Sequence, residues 1–297
     1  MRFGRLSLNF LKSYMLKVIR KRRKTYPPHS FEEFINIPFI NDDNVCHSYD
    51  VYLARKENRK NCCVIDIHGG AYIFNEHQDN YPFAHILLEK GYDVVLLDYV
   101  PNDGNKDTSD LFKDVVAGYN HLVSHLKDYG LENDKFVIAG DSAGGHFALL
   151  LSELIKAKES PSFIDIRPLD INLIGTVLNC PVYDFGNINK GPLTKGGLHR
   201  MLGPRYNDGE WLNKLSPRTY ICTYKLPIFL STCKNDFIRE QSMILYNDIK
   251  DRDNFSFVDI NSDNKEVDHV HNVVKTKLKE SIEVNDAIDS FINKLFW

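Results

Sequence analysis

Short runs of β-branched and apolar residues recur along the chain at 63–67, 94–97, 136–139, 173–178 and 228–231, and stretches of helical periodicity lie between them. That alternation limits the fold more than any other feature. Near-continuous apolar strands suit a parallel sheet covered on both faces, and helices between successive strands supply the cover. Leu111, Val115, Tyr119, Leu122 and Leu126 mark one helical stripe, and Phe147, Leu150, Leu151, Leu154 and Ile155 a second. Ile282, Ala287, Ile288, Phe291, Ile292 and Leu295 mark a closing helix. Val45, His47, Tyr49, Val51 and Leu53 share a face at period two, which predicts a half-buried antiparallel strand. A last strand is expected over 255–260. The class is therefore α/β, a mostly parallel central sheet flanked by helices in a single domain over 1–297.

Bulk properties narrow the partners. The chain has 297 residues, 43% of them hydrophobic, enough for a large core, and a formal net charge of −3 that does not favour nucleic acid. No apolar stretch approaches the roughly 20 residues of a membrane-spanning helix. The six cysteines, Cys46, Cys62, Cys63, Cys180, Cys222 and Cys233, show no C-x-x-C pair and no metal-ligand spacing. They read as small apolar residues of a cytoplasmic protein, with no disulfide framework and no bound metal.

The chemistry concentrates in Gly140-Asp141-Ser142-Ala143-Gly144-Gly145, which lies between the apolar run 136–139 and the helical stripe from Phe147. A Gly-x-Ser-x-Gly is a weak pattern alone. Between a strand and a helix it predicts a sharp turn that lifts the serine hydroxyl above the sheet edge, as a nucleophile must be. The flanking glycines give the crossing backbone room, and the helix N-terminus faces any negative charge that forms there. His68-Gly69-Gly70-Ala71-Tyr72 directly follows the run ending at Ile67. Backbone N–H groups at Gly69 and Gly70, together with that of Ala143, are the expected oxyanion donors.

With Asp98-Tyr99 at the end of the intervening strand, these motifs resemble the hormone-sensitive-lipase-like branch of α/β-hydrolase esterases over roughly residues 45–297. This chain departs from the family by reading Val100-Pro101-Asn102-Asp103 where the family usually has Arg-Leu-Ala-Pro, which bears on packing around that loop. The resemblance implies a Ser-Asp-His triad in that chain order, so the acid should follow the run 228–231 and precede a helix from about 240 to 249. Asp236 fits that place. Two histidines, His269 and His271, follow the last strand. The family's catalytic histidine is followed by one residue and then usually an aromatic, which gives the base to His269 and the aromatic's place to His271. The implied activity is hydrolysis of small-molecule carboxylic esters through an acyl-enzyme, without a cofactor. An amidase would use the same groups, whereas a binding protein that had lost catalysis would lack one of the three.

Two stretches break the strand–helix rhythm. Residues 183–225 are rich in Gly, Pro, Asn, Lys and Tyr, and a connection of that length is expected to be functional, here as a cap insertion. Residues 1–40 are read as an N-terminal cap segment. Within 1–24 lie Arg2, Arg5, Lys12, Lys17, Arg20, Lys21, Arg22, Arg23 and Lys24, with Leu8, Leu11, Met15 and Val18 at helical spacing. Such a basic amphipathic helix covers the site mouth or, alternatively, makes peripheral contact with an anionic membrane.

Overall fold

The expected runs become strands in a computed structural model that describes residues 31–157, 163–188 and 195–296. They are β3 (Cys62–Ile67), β4 (Asp93–Leu97), β5 (Lys135–Asp141), β6 (Leu173–Asn179), β7 (Ile228–Cys233) and β8 (Phe255–Ile260). Two earlier strands, β1 (Glu32–Pro38) and β2 (Ser48–Leu53), extend the same sheet, whose spatial order is β1-β2-β4-β3-β5-β6-β7-β8. β1 and β2 pair antiparallel, as do β2 and β4; all the other neighbours are parallel.

Side-chain alternation divides the core between the two faces of the sheet. Cys63, Ile65, Ile67, Val95, Leu97, Phe136 and Ile138 join one apolar cluster. It is completed by α2 (Thr108–Ser124), α3 (Ser142–Lys156) and α6 (Arg239–Ile249) through residues such as Val115, Phe147 and Leu245. Cys62, Val64, Val94, Leu96, Val137 and Ala139 face the opposite cluster. There α1 (Tyr81–Glu89) and α8 (Lys279–Lys294) supply Phe83, Leu87, Val284 and Ile288. Four of the six cysteines are buried and all six are free. Among the described residues, no helix is long and apolar enough to cross a membrane.

Two expectations change. The strand anticipated from Val45 begins at Ser48 and is buried on both faces, while Val45 is exposed. Its polar face is buried because Asp50 is satisfied there, accepting from the Asn36 N–H at 2.6 Å and the Tyr52 hydroxyl at 2.8 Å. Within the stretch read as an N-terminal cap, Glu32–Pro38 is instead the edge strand β1. A bulge at Asn36, whose φ is 54°, interrupts its ladder. The basic segment 1–24 lies outside the described residues.

Residues 183–225 connect β6 to β7 and contain α4 (Lys195–Leu202) and α5 (Gly209–Leu215). The Asn102 amide donates to the Met201 carbonyl at 3.2 Å, and the Thr108 hydroxyl to that of Leu202 at 3.3 Å. His146 on α3 is 2.8 Å from the Leu215 carbonyl. The insertion is thus tied both to the departing loop after Tyr99 and to the helix that starts at Ser142.

Candidate active site

Loops leaving the carboxyl ends of β3, β5, β6 and β7 carry His68, Ser142, Cys180 and Asp236, at the sheet edge where open α/β sheets hold ligands. Backbone strain collects here. Ala71, Tyr72, Ser142, Cys180 and Val270 all have φ between 48° and 65°. The only other non-glycine residues with positive φ among those described are Asn36 and Asn75, a residue type that tolerates it. A β-branched valine in that region costs on the order of 1–3 kcal/mol, which the surrounding packing must offset.

Ser142 forms the turn between β5 and α3, and the crossing is close. A Cβ on Gly144 would meet the Ile67 carbonyl oxygen at 2.0 Å, so the first turn of α3 can rest on the end of β3 only without a side chain there. One on Gly69 would lie 2.3 Å from Asp141 Oδ2 and 3.0 Å from Ser142 Cβ.

The structure brings Ser142, His269 and Asp236 together. Ser142 Oγ lies 2.9 Å from His269 Nε2, and His269 Nδ1 lies 2.6 Å from Asp236 Oδ1. The carboxylate can only accept, so Nδ1 carries the proton and Nε2 offers its lone pair to the hydroxyl. Burial alone would raise the Asp236 carboxyl; hydrogen bonding and charge from His269, the Ile238 N–H and the Cys180 thiol outweigh it and hold the group below the ordinary range. The Thr232 hydroxyl donates to its other oxygen at 3.1 Å. Cys180, Asp236 and His269 place one donor atom each within 4.8 Å. Such a trio has the spacing of metal ligands, but His269 Nδ1 is already hydrogen-bonded to Asp236 Oδ1.

His271 points elsewhere. It opens the short helix α7 (His271–Val274), is 2% exposed and lies 2.9 Å from the Ser281 hydroxyl. Burial pushes its imidazole down to about 4.

The three expected oxyanion donors divide. The Gly69 N–H donates to Asp141 Oδ1 at 2.9 Å and is therefore spent. The Gly69 carbonyl accepts from His68 Nδ1 at 2.7 Å, and the Tyr99 hydroxyl approaches it at 3.4 Å. In a planar trans peptide the next N–H points the opposite way, so fixing that carbonyl turns the Gly70 N–H away from His68 and Tyr99. The N–H groups of Gly70, Ala71 and Ala143 have no acceptor among the described residues. The free Ala71 N–H was not anticipated from the sequence because it depends on which way the 69–70 peptide faces.

Below this loop lies a buried chain of charge. His68 Nε2 is 2.8 Å from Asp98 Oδ1, His77 Nδ1 is 2.9 Å from Asp98 Oδ2, and His77 Nε2 is 3.1 Å from Asp50 Oδ1. Each imidazole has oxygens that can only accept near both nitrogens, which favours its charged form. Burial opposes that charge on His77, but Asp50 and Asp98 prevail and raise it to about 9. Burial likewise opposes charge on Asp98, and the two histidines bring it down to about 2. The Tyr99 ring stacks on His68 with centroids 4.4 Å apart. Alongside, Asn80 donates to Asp66 at 2.7 Å and to Asp141 at 2.8 Å. Burial and the nearby Asp141 charge push Asp66 up to about 7.

A family model, BD-FAE, matches residues 49–249, which include Ser142, Asp236 and the His68 loop. The chain belongs to the BD-FAE family. Its hormone-sensitive-lipase-like α/β-hydrolase fold is the one the motifs led us to expect. Esterase B of Lactobacillus rhamnosis superposes with a TM-score of 0.84 at 21% identity, covering 99% of this chain and 96% of that one. Among curated relatives, Lipase 2 of a Moraxella species is 25% identical over 126 residues, 42% of this chain. A protein of Arabidopsis thaliana named as an isoprenylcysteine α-carbonyl methylesterase is 26% identical over 128 residues, again 42% of this chain. These matches span 27% of the length of each relative.

Proposed function

We propose that this BD-FAE family member is a carboxylesterase of the lipase-like type, and that it cleaves small-molecule carboxylic esters through an acyl-enzyme on Ser142. His269 Nε2 takes the hydroxyl proton as Oγ attacks the ester carbonyl carbon. Asp236 holds the imidazole in the required tautomer and balances its charge. The carbonyl oxygen, now negative, accepts from the N–H groups of Gly70, Ala71 and Ala143. Collapse breaks the bond to the alcohol oxygen, which leaves with the proton from Nε2. Water then attacks the acyl-enzyme, gives its proton to Nε2, and releases the acid and Ser142. Every group in the cycle belongs to the protein, the ester or water.

The observation that carries this reading is the aligned Ser142–His269–Asp236 hydrogen-bond chain beside three unspent backbone N–H groups. The ester-cleaving names of the curated relatives agree with it. In this reading, 183–225 acts as the cap of a single catalytic domain and borders the substrate through its ties to α3 and the loop after Tyr99. A panel of p-nitrophenyl esters from acetate to palmitate tests the activity and reads the acyl preference. Ser142→Ala should lower turnover by about three to six orders of magnitude without unfolding the protein. Substantial activity remaining in a preparation free of wild type would end the proposal.

A further inference from the structure

Phe237, next to Asp236, is the one exposed phenylalanine among the described residues, with 79% of its surface accessible. Its ring nevertheless lies against His269, with centroids 4.4 Å apart and planes at 55°. Burying such a ring in the core would stabilise the fold by about 1.5–3 kcal/mol. Here most of the ring contributes nothing to the core.

Catalytic geometry says what occupies that space. His269 Nε2 must reach the departing alcohol oxygen, so the alcohol leaves across the imidazole while the acyl carbonyl sits on the Gly70, Ala71 and Ala143 donors. A ring lying tilted against His269 therefore borders the alcohol. The cations that flank it in sequence are already paired, Lys234 with Asp263 at 2.6 Å and Arg239 with Asp259. With those two cations paired, the exposed ring is an apolar platform among the described residues.

The geometry points to Phe237 as the alcohol-side specificity residue, selecting esters whose alcohol is uncharged and apolar, of the size of a benzyl group, over methyl esters. This inference rests on the acyl-enzyme reading of the same site. An aromatic contact formed as the alcohol binds strengthens acylation, and by microscopic reversibility it also strengthens capture of the acyl-enzyme by that alcohol.

Capture gives the cleaner test, because all alcohols then compete for one acyl-enzyme. Wild type, Phe237→Ala and Phe237→Trp are acylated with p-nitrophenyl butyrate in the presence of benzyl alcohol or methanol, and the new esters are measured against butyrate. Phe237→Ala should lower the benzyl-to-methyl capture ratio about ten-fold, and Phe237→Trp should keep it near wild type. The ratio of kcat/KM for benzyl over methyl butyrate should fall by the same factor. An unchanged ratio, with turnover reduced equally for all alcohols, would show that the ring only steadies the imidazole and would overturn the inference. A change that follows acyl length rather than alcohol would overturn it too. Absence of any turnover by wild type would instead remove the esterase reading beneath it. Stoichiometric fluorophosphonate labelling of each variant excludes misfolding as the cause.

Discussion

Two of the acid–imidazole chains among the described residues meet at the candidate site, and they are built from the same residue types. In one, Asp236 meets His269 and His269 meets a hydroxyl, with the His269 side chain 15% exposed. In the other, Asp50, His77, Asp98 and His68 alternate in the interior, with the histidine side chains no more than 5% exposed. The difference lies in what the last nitrogen faces. His269 Nε2 faces a group that can give up a proton, whereas every nitrogen of His68 and His77 faces an oxygen that can only accept. In the proposed mechanism the first chain moves a proton, and the second holds its protons in place. The second chain fixes the Gly69 carbonyl, and through it the direction of the Gly70 N–H, so in the proposed mechanism a static network orients the oxyanion donors.

The largest effect should come from breaking the reactive chain. His269→Ala should lower kcat/KM by about four to six orders of magnitude, close to the loss for Ser142→Ala, because the serine loses its base. His271→Ala should cost far less, since its imidazole contacts Ser281 rather than Ser142. Kinetics of both variants with one ester decide the assignment, and the reverse ranking would move the base to His271.

Breaking the static chain should act on stability. Asp98→Asn leaves His68 and His77 short of a carboxylate in the interior, and removing one partner of a buried pair costs about 3–5 kcal/mol. Urea unfolding of wild type and variant measures the loss. A change below about 1 kcal/mol would show that the buried charges are not coupled as the distances imply.

A smaller effect follows from pH. His77 is raised to about 9, so its contribution is fully present below the unfolded histidine value of about 6.5 and is lost as pH rises through about 9. Asp66, raised to about 7, also favours the protonated folded form, so its contribution fades earlier, between about 4 and 7. Between pH 7.5 and 9.5 His77 adds to a slope that the buried thiols Cys62, Cys63, Cys180 and Cys233, pushed up by burial, also share as their unfolded forms ionise. Wild type should lose on the order of 2 kcal/mol more than His77→Gln across that window, since the thiols act alike in both. Equal slopes in the two proteins would contradict the doubly paired imidazole.

The strands and the nucleophile turn were legible in the sequence because local pattern determines them: β-branched runs for β3 to β7, and glycines where two backbones cross. What was illegible depends on distant partners. Asp50 sits on what reads as the outer face of a strand, and His77, Asn36, Tyr52 and Gln78, brought together by the fold, make its burial tolerable. β1 reads Glu-Glu-Phe-Ile-Asn-Ile-Pro, a bulged edge strand whose pattern is broken at Asn36. The Gly69 N–H was assigned to the oxyanion because both glycines of the motif look alike. Asp141, inside the same hexapeptide as Ser142, takes that N–H and moves the unspent donors on to Gly70 and Ala71. The left-handed φ of Val270, next to His269, has no signal in the residue itself.

The central claim, a covalent acyl-enzyme on Ser142 made by His269, is tested most directly by mass spectrometry after rapid acid quenching of the protein during turnover of a slowly hydrolysed ester. The acyl group should appear at one per chain, on the peptide containing Ser142 alone. It should vanish in Ser142→Ala and fail to accumulate in His269→Ala. Turnover without any adduct, or an adduct on another residue that tracks turnover, would contradict the account.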